Sequence, residues 1–401
     1  MFKIKVLFVV LCGLIWSCNS QPANSGKEKT VQQEPGQATP IDFPAIANKL
    51  IQQADLQPGE KVMMVGKSGR FDGLVPLLKK EILEKKAIYL GTFEVTPGAP
   101  NKWETEFTSG AASLDRAPLT EYLQSVDLGI MLPGATPADL PYAAMQDLLW
   151  TGKGRTIHFH WEGAYDLDGN PISVNSEIDA FYQKVVLETD YAALAKKQQQ
   201  FENAMRGARI RVTTPAGTDI VFEIGDRPVT RQDGDVTAKR MKTARNLIDR
   251  EIELPAGAIR VAPVESSVNG SIAFPPSEWG GQKVEGLIMH FKNGKLSEFS
   301  CIKGRSGVEN VLEEAGESAR SFREFALGFN PDLSISAAGG KWIPYYGYGA
   351  GVVRLSLGDN RELGGNVGGG FVRWNFFNDA TVRIGNTTWV KDGVLLEVNI
   401  N

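Results

Sequence analysis

The chain has 401 residues, long enough for two domains with well-developed cores. Its 43 lysines and arginines face 47 aspartates and glutamates, a formal charge of −4. That balance supplies no strong basic face and argues against a nucleic-acid partner.

Residues 1–17 hold Lys3 and Lys5, an apolar run from Val6 to Trp16, and Ser17. A basic start, a short apolar middle and a small residue before the cut are the features of a secretory signal. The run is shorter than the roughly twenty apolar residues that a membrane-spanning helix needs. Ile15-Trp16-Ser17-Cys18 resembles a bacterial lipoprotein box, which implies that Cys18 is the lipidated first residue of the mature chain. Asn19 stands where some inner-membrane lipoproteins carry an acidic residue, so the expected address is the outer membrane, facing the periplasm. Cys12 leaves with the signal, and Cys301 is then left without a partner for a disulfide; it reads as a packed small apolar residue. Residues 18–41 are polar and read as a flexible tether behind the lipid.

Residues 42–205 alternate strand and helix. Ala45–Ala54 reads as a helix, Lys61–Lys67 as a buried strand, Phe71–Lys86 as a helix and Ala87–Phe93 as a strand. Val126–Pro133 and Arg155–Glu162 continue the strands, with helices over Pro137–Trp150 and Glu177–Met205. This alternation predicts a Rossmann-like α/β domain with a parallel sheet. Gly66-Lys-Ser-Gly-Arg70 lacks the spacing of a phosphate loop and reads as a plain strand-to-helix turn. His158 and His160 share a strand face but have no third His or Cys nearby, and read as structural.

From residue 206 to 401 short β-branched runs alternate with glycine turns, interrupted by a helix predicted over Gly307–Phe325. This half reads as an α+β, mostly antiparallel domain. Near its end, two strand-like runs flank the glycines of 364–370 and are expected to bring Arg354 close to Arg373. Arg373 and Asn375, two apart, are expected on one side of a strand. Glu265 reads as a strand-end residue, and His290 as packing or solvent-edge. The aromatic group Trp342, Tyr345, Tyr346 and Tyr348 reads equally as core or as the wall of a cleft.

Several stretches of this half resemble the thermophilic-type metalloaminopeptidases, the aminopeptidase S and T family, which has a ring-cleaving dihydroxypyridine dioxygenase as a relative. They are Leu254–Pro263, Val264–Gly270 with Val284-Glu-Gly286, Ala319–Asn330, and Val353–Asn360. The resemblance implies a site that binds two metal ions through carboxylates and histidines, and a possible homodimer. Carried onto this chain, the ligand positions fall on Ala258, Glu324, Arg354, Arg373 and Asn375, with a family tyrosine near Arg361. Only Glu324 keeps a strong ligand: alanine donates nothing, guanidinium stays protonated, and an amide holds divalent ions weakly. The expectation is therefore a metal-free, cofactor-free site with no catalytic residues. There Arg354 and Arg373 neutralise a buried Glu324, and a spare positive charge attracts a small carboxylate or a peptide. Arg354, Arg373, Glu324 and Tyr348 are its candidate binding residues. Glu362, Asp359 or Asp379 taking up the spare charge is the alternative, and a metalloaminopeptidase with altered ligands is the other functional reading.

Overall fold

The first buried strand, β1 (Lys61–Gly66), is a continuous apolar run with both faces covered, the pattern of a parallel strand inside a sheet. The computed structural model describes residues 40–398; the signal, Cys18 and nearly all of the tether lie outside the described residues. β2 (Ile88–Glu94), β3 (Leu128–Met131) and β4 (Arg155–Phe159) join β1 in the order β2-β1-β3-β4, all parallel. The chain steps one way from β1 to β2 and the other way from β1 to β3. Strand order thus reverses between β1 and β3, which leaves an opening at the strands' C-terminal ends.

Helix α1 (Phe43–Ala54) starts where the Asp42 carboxylate accepts from the Ala45 amide, and it buries Ile46, Leu50 and Ile51. Helix α2 (Leu74–Glu84) buries Leu74, Leu78 and Ile82, four residues apart, on one stripe. The expected helix over Glu177–Met205 is two helices, Ser176–Glu188 and Tyr191–Met205. Thr189 leaves helical geometry at ψ 127°, and Asp190 caps the second helix through the Ala193 amide. None of the described helices is long and apolar enough to cross a membrane.

The parallel sheet takes a fifth strand, Glu251–Leu254, from beyond residue 206. The remaining strands form an eight-stranded sheet, a six-stranded sheet and a small hairpin, and their pairings are antiparallel. Residues 40–398 belong to one compact unit, whose largest apolar core runs from Ile46 to Val390.

The helix expected over Gly307–Phe325 is a correction. Helix covers only Arg305–Glu314 and a short turn Gly316–Ala319, and Phe322–Gly328 is a strand with every residue buried. Arg323 and Glu324 look like the solvent face of a helix in sequence. They are tolerated inside a sheet because each is ion-paired there.

Candidate functional site

Three neighbouring strands of the six-stranded sheet, Ala258–Val261, Phe322–Gly328 and Val353–Gly358, carry a buried charge cluster. Ala326 stands opposite both Arg260 and Arg354, and Glu324 opposite Ser356, so these side chains leave the sheet on one face. A bulge between Phe322 and Glu324 breaks the alternation and lets the adjacent Arg323 turn to the same carboxylate.

Glu324 is wholly buried. Arg354 donates to its Oε1 from Nε at 3.0 Å and from Nη2 at 2.6 Å. Arg260 Nη2 donates to Oε2 at 3.1 Å, and Arg323 Nη1 lies 3.2 Å from the same oxygen. Burial alone would raise the Glu324 pKa, but Arg260, Arg354 and Arg323 overcome it and hold the group far below the usual carboxylate range. Glu362 accepts from Arg323 and, at 3.3 Å, from Arg260, while Glu253 lies 3.8 Å from Arg260. Three guanidiniums thus meet three carboxylates. The remaining Arg354 nitrogen donates to the Tyr346 carbonyl at 3.1 Å, and the guanidinium stacks 4.8 Å from the Trp374 ring.

Glu324 and Arg354 meet as expected, but Arg373 does not join them. Antiparallel register sets Arg373 opposite Leu357, three residues along from Arg354. There it lies 3.8 Å from the Trp279 ring and donates to Ser277 Oγ and Asn375 Oδ1, each at 3.2 Å. Burial pushes its pKa down to about 10. Arg373 and Asn375 do touch, and Asn375 donates to the Leu355 carbonyl at 3.1 Å. The spare positive charge is a further correction, because Glu362, one of the acids weighed for it, takes it up. Arg260 and Arg323 went unremarked in sequence. The signal was there in Ala-Ile-Arg-Val: an arginine within a wholly buried run needs a buried partner.

Tyr348 is buried beside Arg354, its ring 5.7 Å from the guanidinium, and Ala258 is packed in its strand. Arg361 pairs with Asp359. Glu265 accepts from Arg227, from Asn360 at 3.2 Å and from the Asn366 amide at 2.8 Å, a structural role. His290 is on the solvent side of its strand. Among the described residues no group of three or more His, Cys, Asp or Glu is placed to hold a metal ion. The donors around Glu324 do not fit one either, being cationic.

His158 belongs to a separate buried network. The Tyr142 hydroxyl lies 2.7 Å from its Nδ1, and its Nε2 lies 3.5 Å from Glu251. Burial drives His158 well below its ordinary pKa and lifts Glu251 to about 8, so both are neutral near pH 7. His160 packs against Tyr345 and Tyr346.

The opening at the strand ends is a crevice of about 590 Å³. Loops following β1, β3 and β4 line it with Lys67, Gly134 and Gly163, and Tyr346 closes one wall. Gly134 has φ 93°, and a Cβ there would sit 3.2 Å from that of Lys67. Gly163 has φ 82°, and a Cβ there would lie 2.7 Å from the Tyr346 ring. The loop read as a plain turn, Gly66–Arg70, thus borders the cavity.

Residues 189–339 match the thermophilic metalloprotease (M29) family. Two solved structures share the fold over most of the chain. Aminopeptidase AmpT of Thermus thermophilus is 16% identical, with 88% of this chain and 99% of that one covered and a TM-score of 0.58. The 2,5-dihydroxypyridine dioxygenase of Pseudomonas putida KT2440 is 13% identical, covering 89% and 98%, with a TM-score of 0.58. No curated protein matches the sequence. The fold, a parallel sheet joined to antiparallel ones, is shared with AmpT. Residues 189–339 thus resemble the M29 family in sequence, and the described chain shares its fold with AmpT.

Proposed function

We propose that this protein is a lipid-anchored, metal-free relative of the aminopeptidases that acts by binding rather than by hydrolysis. The observation that carries the reading is the enclosure of Glu324 by Arg260, Arg323 and Arg354. A divalent ion brought to that carboxylate would have to displace guanidiniums and remain beside them, which costs Coulomb energy in a dry interior. Function follows the site rather than the fold. Anchoring through Cys18 would hold the domain at the periplasmic face of the outer membrane.

Two measurements test this. Purified protein should carry no stoichiometric zinc, cobalt, manganese or iron, and should release no amino acid from peptides when those metals are added. Activity that appears with metal and vanishes in Glu324→Ala would establish the altered metalloaminopeptidase instead. Separately, wild-type protein should partition with membranes and Cys18→Ala should not; a soluble wild type with an unmodified N-terminus would remove the anchor from the proposal.

A further inference from the structure

We infer that the crevice at the C-terminal ends of β1, β3 and β4 is a binding site for a small anion, carboxylate or phosphate, that carries a flat apolar body. The site contains none of the cluster's charged residues and touches the cluster through Tyr346, and it goes beyond the proposal above. Its position is the first argument. In open α/β sheets, ligands settle outside the carboxyl ends of the strands where strand order reverses, and here that is between β1 and β3. The volume of about 590 Å³ falls in the range of small-molecule sites.

Charge supplies the second argument. Lys67 and Arg70 are the cations of the lining. Arg70 is paired with Asp179, whereas Lys67 is exposed and has no hydrogen-bond or ion-pair partner among the described residues. The Lys67 stem lies along Gly134, which has no side chain to push it away. An ammonium so placed binds an anion as a point charge and does not discriminate between carboxylate and phosphate.

The walls supply the third. Phe71, Trp161, Tyr165 and Tyr346 line the crevice and suit an aromatic or planar body. Tyr346 is held in place before any ligand arrives. Its amide donates to the Gly163 carbonyl at 3.0 Å, its carbonyl accepts from Arg354 at 3.1 Å, and its backbone sits in the left-handed region at φ 51°. Left-handed backbone at a bulky residue is a strained state that surrounding contacts must maintain.

The test is calorimetric titration of the wild-type protein and of Lys67→Met with benzoate, phenyl phosphate, inorganic phosphate and benzylamine. Benzoate or phenyl phosphate should bind at millimolar concentration or below, and whichever binds more tightly identifies the anion. Lys67→Met should weaken that binding by about tenfold, the loss expected for one charge-assisted contact, with an unchanged melting temperature. Failure of both aromatic anions to bind would overturn the inference, as would equal affinity in Lys67→Met. Tighter binding of benzylamine would overturn the anion assignment and point to Glu162, the carboxylate of the lining. Inorganic phosphate binding as tightly as phenyl phosphate would overturn the role given to the aromatic walls.

Discussion

Arg354 holds Glu324 with two nitrogens, at 3.0 and 2.6 Å, from a diagonal position on the neighbouring strand, and the carboxylate has no exposure to water. A pair in this setting adds little net stability, because desolvating two charges costs about what their attraction returns. Breaking it is different, since the surviving partner stays buried and uncompensated.

Glu324→Gln should therefore lower the unfolding free energy by about 3–5 kcal/mol, as should Arg354→Met. Urea denaturation at pH 7 measures both. The wild-type contribution of Glu324 is present above the ordinary carboxylate pKa and lost as pH falls below it, because its folded-state pKa is depressed. A loss under 1 kcal/mol in both variants would contradict the cluster.

Arg373→Met should cost less, about 1–2 kcal/mol, for a cation–π contact and two hydrogen bonds. A double-mutant cycle of Arg373→Met with Glu324→Gln should show additivity, because among the described residues the two side chains share no hydrogen-bond or ion-pair partner. Strong coupling would place Arg373 at Glu324 after all.

Glu251 predicts a pH dependence of opposite sign. Its folded pKa rises from the ordinary 4.5 to about 8. The folded state thus holds a proton that the unfolded state releases, and stability should fall as pH rises from about 4.5 through 8. Glu251→Gln keeps a neutral side chain there and should flatten that slope, gaining roughly a few kcal/mol over wild type above pH 8. Thermal melts across this range compare the two; identical slopes would mean that Glu251 ionises normally.

Gly163→Ala would set a Cβ 2.7 Å from the Tyr346 ring on a backbone at φ 82°. Strain and overpacking together should cost about 1–3 kcal/mol and alter the near-ultraviolet circular dichroism of the tyrosines. An unchanged spectrum and melting point would show that Tyr346 moves aside freely.

Strand-like runs alternating with helical patterning over residues 42–205 were enough to predict a parallel α/β sheet, because β1 and β3 are short apolar runs bounded by turns and helices separate the strands. The same reasoning put a helix over Phe322–Phe325, since charged residues inside a strand are rare and their partners lie far along the chain. Arg260 is 64 residues from Glu324 and Arg354 is 30.

Sequence alone supplied the resemblance, and with it the expectation that an alanine, a glutamate, two arginines and an asparagine stand at metal-ligand positions. It also determined the alternation that makes the first sheet parallel and the second half antiparallel. Tertiary structure alone decided that Arg260 and Arg323 close on Glu324, that Arg373 turns to Trp279, and that β1 and β3 open a crevice beside Tyr346. The reason is register. A strand pairing displaced by one residue, or a bulge such as that beside Arg323, sends a side chain to another face of the sheet. Local hydrophobic patterning carries no record of that choice.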